Sequence, residues 1–246
     1  WVWLLHDDCA PAPDALRRLL EYAVRNPDVG VIGPKVRSWR DARQLLEVGL
    51  SMTGGGRRQT GLEKREYDQG QHDATREVLA VGSAGMLVRR DVWDELGGFD
   101  PRLPIFRDDI DFGWRANLAG HPVVVHPAAI IQHAEAAAHG RRRLGATRDR
   151  AHLVDRRNAL YVLLANAPAS HVPFVYLRIL LGGLARALGF LFGKQPALAG
   201  EELVAEAGPD DPVRARPAVR PVNGVLDLSR WQVAGGRALR PIDVSL

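Results

Sequence analysis

Cysteine and lysine are scarce in this chain, and the shortage of cysteine excludes a class of scaffold. Cys9 is the single cysteine among 246 residues, so no disulfide can form within the chain and a disulfide-stapled scaffold is excluded. One cysteine also suits a reducing compartment. Hydrophobic residues make up 46% of the chain and charged residues 25%, which excludes a wholly disordered or collagen-like protein. The length suits one domain with an appendage.

The shortage of lysine makes arginine the source of almost all positive charge. Three of the 33 basic residues are lysines, which leaves 30 arginines and a formal net charge of +4. Arginine favours phosphate and carboxylate recognition, although the same bias equally reflects the base composition of a genome. The basic runs are not interleaved with aromatic residues, so no nucleic-acid partner is expected.

The first residues lack an initiator methionine, a basic leading segment and a cleavage site, so no signal peptide is expected. The opening apolar run, 2–5, is typical of a buried parallel strand. We expect that the chain is cut at this strand and that a segment before it is missing.

The order of apolar runs predicts an α/β fold. Strands are predicted at 2–5, 29–36, 78–81, 86–88, 123–125 and 129–132, and helices at 14–26, 91–96 and 109–119. Their alternation with short links favours a sheet with flanking helices. The glycine-rich, charged segment 53–75 predicts a mobile loop or an irregular hairpin.

Polar side chains follow two of the predicted strands. His6, Asp7 and Asp8 come directly after the first strand, and His133 ends the last one. Ligands bind outside the carboxyl ends of strands in open α/β sheets, and adjacent carboxylates there favour a hard cation that also binds diphosphate oxygens. Alternatively, the aspartates cap the following turn, and His133 is an ordinary core or surface histidine.

A second acidic cluster begins a predicted helix. Asp108 and Asp109 fall at its first turn, where the helix dipole favours negative charge. Helix capping needs one acid, whereas a second acid here fits a general base that takes a proton from an acceptor hydroxyl. Asp111 lies one turn further on and is spaced for an ion pair with Arg115.

Taken in order, these motifs resemble the inverting glycosyltransferases of family 2, which have a GT-A fold. The resemblance covers roughly residues 1–139. It rests on the triplet HDD (6–8), VGSAGMLVRR (81–90), GGFD (97–100), DDIDFGWR (108–115) and the final histidine, His133. It implies a Rossmann-like mixed sheet with flanking helices, and a preceding nucleotide-binding segment that is absent here.

The resemblance also implies roles for individual residues. Asp8 would ligate a divalent cation, Mg²⁺ or Mn²⁺, and Asp7 would contact the donor sugar or its ribose-diphosphate. Asp109 would be the catalytic base, with Asp108 holding the acceptor. His133 would bind the metal or touch the diphosphate.

Further implied contacts lie in the two other motifs. Gly82, Ser83, Ala84 and Gly85 would line the acceptor side, where small residues let a sugar approach the backbone. The WR pair, Trp114 and Arg115, would also bind substrate. His6 stands where the family has its first carboxylate, and it is the third candidate metal ligand.

The remaining sequence is predicted to form a helical, membrane-proximal extension at 140–207 and an extended or disordered tail at 208–246. Segment 172–193 would be about 33 Å long as a helix, enough to cross a bilayer. Arg178 and Arg186 lie within it, and each costs about 2.5–3.5 kcal/mol near the bilayer centre. A helix lying in the membrane interface therefore fits best, with a buried or partner-facing helix and a true span as alternatives.

The expected function is metal-dependent transfer of a sugar from a nucleotide-diphospho-sugar to a hydroxyl of a glycan or lipid-linked acceptor. The expected location is the cytoplasmic face of the cell membrane, in cell-envelope polysaccharide synthesis. A non-catalytic module that docks a membrane or partner is one alternative, because the donor half is absent. A metal-dependent hydrolase that uses the same acids is another.

Overall fold

The computed structural model describes residues 1–134 and 151–193. Its strands are β1 (Val2–Trp3), β2 (Cys9–Pro11), β3 (Val31–Ser38), β4 (Leu45–Glu47), β5 (Ser51–Met52), β6 (Arg58–Gln59), β7 (Arg76–Glu77), β8 (Leu87–Val88) and β9 (Val123–His133). Its α-helices are α1 (Ala15–Arg25), α2 (Arg90–Leu96), α3 (Asp108–Leu118), α4 (Ala151–Asn166) and α5 (Val172–Phe192).

The main sheet is mixed. Its strand order is β1-β8-β3-β9-β2, with β4 added beside β3 and β7 beside β9. The central pair β3 and β9 is parallel, and the other pairs are antiparallel. Helices α1, α2 and α3 bury apolar side chains on this sheet. A mixed sheet with flanking helices confirms the α/β prediction.

Two strand predictions need correction. The first strand is half-buried and pairs antiparallel with β8, so the prediction of a buried parallel strand is wrong. Two residues of β1 pair there, at the edge of the sheet. The runs 123–125 and 129–132 form one continuous strand, β9, and its register against β3 shifts between Gly33 and Lys35.

The segment predicted as a loop or irregular hairpin begins as a hairpin, in which β5 pairs with β6. Its later part is anchored by Lys35, which is fully buried in β3 and donates hydrogen bonds to Asp68 at 2.9 Å and to Asp73. Arg37 also donates to Asp68, and these cations lower the pKa of that buried carboxyl to about 2. An ion-pair cluster therefore ties this segment to the sheet.

Helix α4 packs into the same core as the sheet residues. Its buried face shares one hydrophobic cluster with β5, the segment before β8, and α3; the cluster includes Leu50, Met52, Leu79, Ile110, Leu160 and Leu164. The predicted boundary between the catalytic part and the extension, 139/140, lies outside the described residues, as does the tail 208–246.

Candidate active site

A cavity of about 1100 Å³ is lined by residues 6–8 before β2, by β4 and β6, by the end of β9 and by the start of α3. Both groups of polar residues predicted from sequence line it: Asp7, Asp8, His6 and His133 in one group, and Asp108 and Asp109 in the other. We call His6, Asp8 and His133 the histidine corner. The acid corner consists of Asp108, Asp109 and a third acid, Glu47, which also lines the cavity.

The histidine corner brings three potential ligand atoms together. His133 Nε2 lies 3.1 Å from Asp8 Oδ1 and 3.3 Å from His6 Nδ1. His6 Nδ1 lies 3.9 Å from the same carboxylate oxygen. Neighbouring ligands of one octahedral cation are about 3 Å apart, given metal–ligand bonds of about 2.1 Å. The three side chains therefore fit one divalent cation.

The chemistry of the donors supports the same assignment. Burial first, and then the charge of His133, lower the pKa of His6, which favours the neutral imidazole that metals require. On its other side, His6 Nε2 lies 2.9 Å from Ser83 Oγ. A hydroxyl that accepts from Nε2–H leaves Nδ1 free as the ligand atom. Two imidazoles with one carboxylate suit Mn²⁺ better than Mg²⁺.

The acid corner begins at the first residues of α3. Asp109 is buried, and its Oδ1 accepts a hydrogen bond of 2.7 Å from the Ile110 amide. Burial, followed by repulsion from Asp109, raises the pKa of Asp108 to about 7. A carboxyl with a pKa near neutrality suits acid–base chemistry.

Glu47, the third member of the acid corner, contacts Arg58, and neither residue was predicted from the sequence. Glu47 Oε1 accepts a hydrogen bond of 2.6 Å from the Gly82 amide, and Oε2 accepts one of 2.7 Å from Arg58 Nη2. The same nitrogen lies 3.9 Å from Asp109 Oδ2. Burial raises the pKa of Glu47, while Arg58 opposes that rise. The sequence signal that could have identified Glu47 was an acid on the inward-facing side of an apolar strand.

The turn before α3 has an uncommon backbone. Phe106 and Arg107 have φ values of 60° and 69°, a left-handed conformation that costs a non-glycine residue about 1–2 kcal/mol. The buried Arg107 side chain donates two hydrogen bonds of 2.7 Å to the Asp155 carboxylate on α4. The acid pair thus follows a strained turn that α4 contacts.

The structure separates the residues predicted on the acceptor side. Gly82, Ser83 and Ala84 line the cavity, whereas Gly85 faces the core. A Cβ at Gly85 would lie 2.3 Å from Ile131, and its φ of 123° also favours glycine. At Gly82, a Cβ would lie 2.8 Å from Glu47, so glycine there leaves room for the buried acid.

Trp114 and Arg115 lie one turn or more into α3, and neither lines the cavity of the described residues. Trp114 packs on the hydrophobic cluster shared with α4. Arg115 forms the predicted ion pair with the fully buried Asp111 at 2.8 Å and donates to backbone carbonyls of Leu96 and Gly98. Their assignment to substrate remains a prediction, and these contacts give Arg115 a structural role.

Comparison with known proteins adds to this geometry. A model of the family described as "Glycosyltransferase like family 2" matches residues 1–151. The N-acetylglucosaminyl-diphospho-decaprenol L-rhamnosyltransferase of Mycobacterium tuberculosis is 29% identical over 175 residues, which is 68% of this chain and 55% of that protein. The O-antigen biosynthesis protein RfbC of Myxococcus xanthus is 34% identical over 128 residues, which is 51% of this chain and 10% of that protein.

The chain thus spans about half the length of the first relative and about a tenth of the second. Among solved structures, GalNAc-T7 with UDP, GalNAc and Mn²⁺ matches 54% of this chain and 27% of its own, with a TM-score of 0.41 and 13% identity.

Proposed function

The chain belongs to glycosyltransferase family 2, and from that premise we propose that it transfers a sugar from a nucleotide-diphospho-sugar to an acceptor hydroxyl, with inversion. The observation that carries the proposal is that the histidine corner and the acid corner line one cavity. A cation-binding set and a carboxylate base in the same cavity are the two parts that a direct displacement needs.

In the proposed reaction, Asp109 takes the proton of the acceptor hydroxyl. The hydroxyl oxygen bonds to the anomeric carbon while the bond from that carbon to the diphosphate oxygen breaks. The nucleoside diphosphate leaves with the electron pair of that bond. Arg58 Nη2 lies 3.9 Å from Asp109 Oδ2, and the proximity of this cation supports Asp109 as the base.

His6, Asp8 and His133 would hold the divalent cation, with Mn²⁺ as the better match to the donors. Such a cation, when bound, neutralises the charge that develops on the departing diphosphate. The residues themselves orient the site: Ser83 fixes the ring of His6 through its hydrogen bond, and Asp7 lines the cavity where it can contact the donor.

The relatives suggest the class of substrate. One is named as a rhamnosyltransferase that acts on N-acetylglucosaminyl-diphospho-decaprenol, and the other as an O-antigen biosynthesis protein. We therefore propose a lipid-diphosphate-linked or growing glycan as the acceptor and cell-envelope glycan synthesis as the process. A rhamnosyl donor is the first donor to test.

We also propose that the protein binds the cytoplasmic face of the cell membrane through α5. Segment Ala169–Phe192 is long and apolar enough to cross a membrane by length and composition. One side of α5 packs on the protein through Val175, Ile179 and Ala187, and Arg178 donates to the Gly54 carbonyl at 2.7 Å. A helix held to the domain along one side favours binding to the membrane surface.

The opposite side of α5 is apolar and exposed. We call it the α5 apolar face: Phe174, Tyr176, Leu177, Leu180, Leu181, Leu184, Leu188, Leu191 and Phe192. Exposed apolar surface of this extent marks interaction sites, and a lipid-linked acceptor would require the enzyme to work at the membrane.

The catalytic proposal is tested by a screen of UDP-, GDP- and dTDP-linked sugars with Mn²⁺ and a lipid-diphosphate-linked N-acetylglucosamine acceptor. The readout is released nucleoside diphosphate, measured for this chain and for the longest natural polypeptide that contains it. Release that needs the acceptor and disappears in Asp109→Asn supports the proposal. No release with any donor, from either polypeptide, contradicts it and favours a non-catalytic docking module.

The membrane proposal is tested by sedimentation with phosphatidylglycerol–phosphatidylcholine vesicles. The double variant Leu181→Glu/Leu184→Glu is expected to weaken vesicle binding at least about tenfold, because it charges the α5 apolar face. Val24→Glu on α1, where the valine is 80% exposed, is the matched control and should bind as the parent does. Equal binding by the double variant and the control would contradict the proposal.

A further inference from the structure

We propose that Asp155 and Asn158, on α4, are positioning residues: they hold the turn before α3 in the conformation that directs Asp108 and Asp109 into the cavity. The catalytic importance of this geometry rests on the proposed function, but the geometry itself can be tested without any sugar transfer. Neither residue belongs to a motif predicted from the sequence.

The turn itself needs support from outside. Phe106 and Arg107 both adopt left-handed φ values, and neither is glycine. Arg107 is the residue immediately before α3, and its side chain makes no capping hydrogen bond to the helix. The dihedral angles of these two residues set the direction in which α3 starts, and therefore where the side chains of Asp108 and Asp109 lie.

Asn158 contacts the backbone of the turn, and Asp155 contacts the side chain of Arg107. Asn158 Nδ2 donates to the carbonyl oxygens of Ile105 at 2.7 Å and Phe106 at 3.1 Å. Asp155 accepts two hydrogen bonds of 2.7 Å from the Arg107 guanidinium. One carboxamide therefore fixes two successive carbonyls, and one carboxylate fixes the next side chain.

Helix α4 is itself anchored to the segment that contains the acids. The Tyr161 hydroxyl donates to Asp100 Oδ2 at 2.7 Å, and Asn166 Nδ2 donates to Asp111 Oδ1 at 3.1 Å. With Asp155 and Asn158, these residues bond to the segment 100–111 from four positions spread along α4. Helix α4 therefore gives the turn a rigid support.

The contacts of Asn158 identify it as a positioning residue and not a catalytic one. It is buried, is absent from the cavity wall, and reaches only backbone carbonyls in its described bonds. A base displaced by about 1 Å loses roughly 100-fold in rate, although the substrates still bind. Loss of Asn158 should therefore lower kcat and leave the KM of the donor unchanged.

The test compares Asn158→Asp and Asp155→Asn with the parent chain. Asn158→Asp keeps the shape but replaces the NH₂ group by a carboxylate oxygen that repels the two carbonyls, and we expect kcat to fall about 10- to 100-fold with donor KM within about twofold. Asp155→Asn keeps one acceptor oxygen, so its kcat should fall less than that of Asn158→Asp. The matched control is Arg157→Ala, an exposed residue of the same helix, which should retain the parent kcat.

A second readout does not depend on activity. Hydrogen–deuterium exchange of a peptide covering 104–110 should be at least about tenfold faster in Asn158→Asp, while peptides from β3 and β9 keep the parent rate. Faster exchange with no sugar transfer by the parent would preserve this inference and reject the proposed function. Parent-like exchange in both variants, or a loss confined to donor KM, would overturn the inference. If Asn158→Asp unfolds, the same outcomes are read from Asp155→Asn.

Discussion

The two corners of the cavity are built in different ways. The histidine corner consists of side chains that extend from strand ends, with side-chain exposures of 41% for His6 and 17% for Asp8 and His133. The acid corner is more buried, with side-chain exposures of 8% for Glu47 and 10% for Asp109. A chelating group needs only convergent strand ends, whereas buried carboxylates need a compensating arginine, backbone donors and a supported turn.

The largest expected difference between the corners is in turnover. Asp109→Asn should lower kcat about 1000-fold, because the variant cannot take the acceptor proton. Donor affinity, measured by calorimetry, should change less than about threefold, since the proposed site of the donor diphosphate is the histidine corner. The control is Asp94→Asn, an exposed residue on α2. Turnover that survives nearly intact would show that the base is another group.

Metal binding should respond in the opposite way. Asp8→Asn removes the only carboxylate of the histidine corner, so Mn²⁺ affinity by calorimetry should fall by about 100-fold. Asp109→Asn should keep the parent affinity for Mn²⁺. Equal losses in the two variants would mean that the corners act as one electrostatic unit, and the comparison between them would fail.

The acid corner should also make stability depend on pH. The pKa of Asp108 is about 7 in the folded protein, above its usual value of 3.8, so the folded state holds this proton more tightly than the unfolded chain. Its contribution is complete below about pH 4 and is lost as the pH rises towards 7.

Asp108→Asn abolishes that titration. Relative to the parent, its free energy of unfolding should therefore rise by about 2 kcal/mol from pH 5 to pH 8, as measured by urea denaturation. Asp28→Asn, at an exposed position, is the control variant. If the free energy of unfolding differed between variant and parent by the same amount at both pH values, the raised pKa of Asp108 would be contradicted.

The smallest effect is expected from the second contact of His6. Ser83→Ala removes the 2.9 Å hydrogen bond to His6 Nε2, so the ring loses its fixed orientation and Mn²⁺ affinity should fall by about tenfold. The pH dependence of stability described for Asp108 should stay unchanged. Parent-like affinity for Mn²⁺ would mean that packing alone orients this imidazole.

Local sequence features predicted some elements closely. The helix predicted at 109–119 is observed at Asp108–Leu118, and the one predicted at 172–193 is observed at Val172–Phe192, because periodicity and glycine stops act over short distances. Asp8, Asp108, Asp109 and the two histidines were also predicted as site residues, since polar residues directly after an apolar run stand out in the sequence.

The supporting residues could not be found in this way. Glu47, Arg58, Asp155 and Asn158 lie far along the chain from the start of α3 and the turn before it, and nothing near them in sequence identifies their partners. The strand predicted as parallel is another such case, because strand direction depends on which neighbour pairs with it. Only the packed arrangement of β4, β6 and α4 around α3 reveals these contacts.

The sequence by itself determined the α/β alternation, the family resemblance and the candidate site residues, because each depends on residues close together in the chain. The tertiary structure decided which of those side chains share a cavity, which carboxyl holds a proton near pH 7, and what supports the turn before α3. Desolvation and charge pairing arise from packing between distant segments, so they exist only in the folded protein.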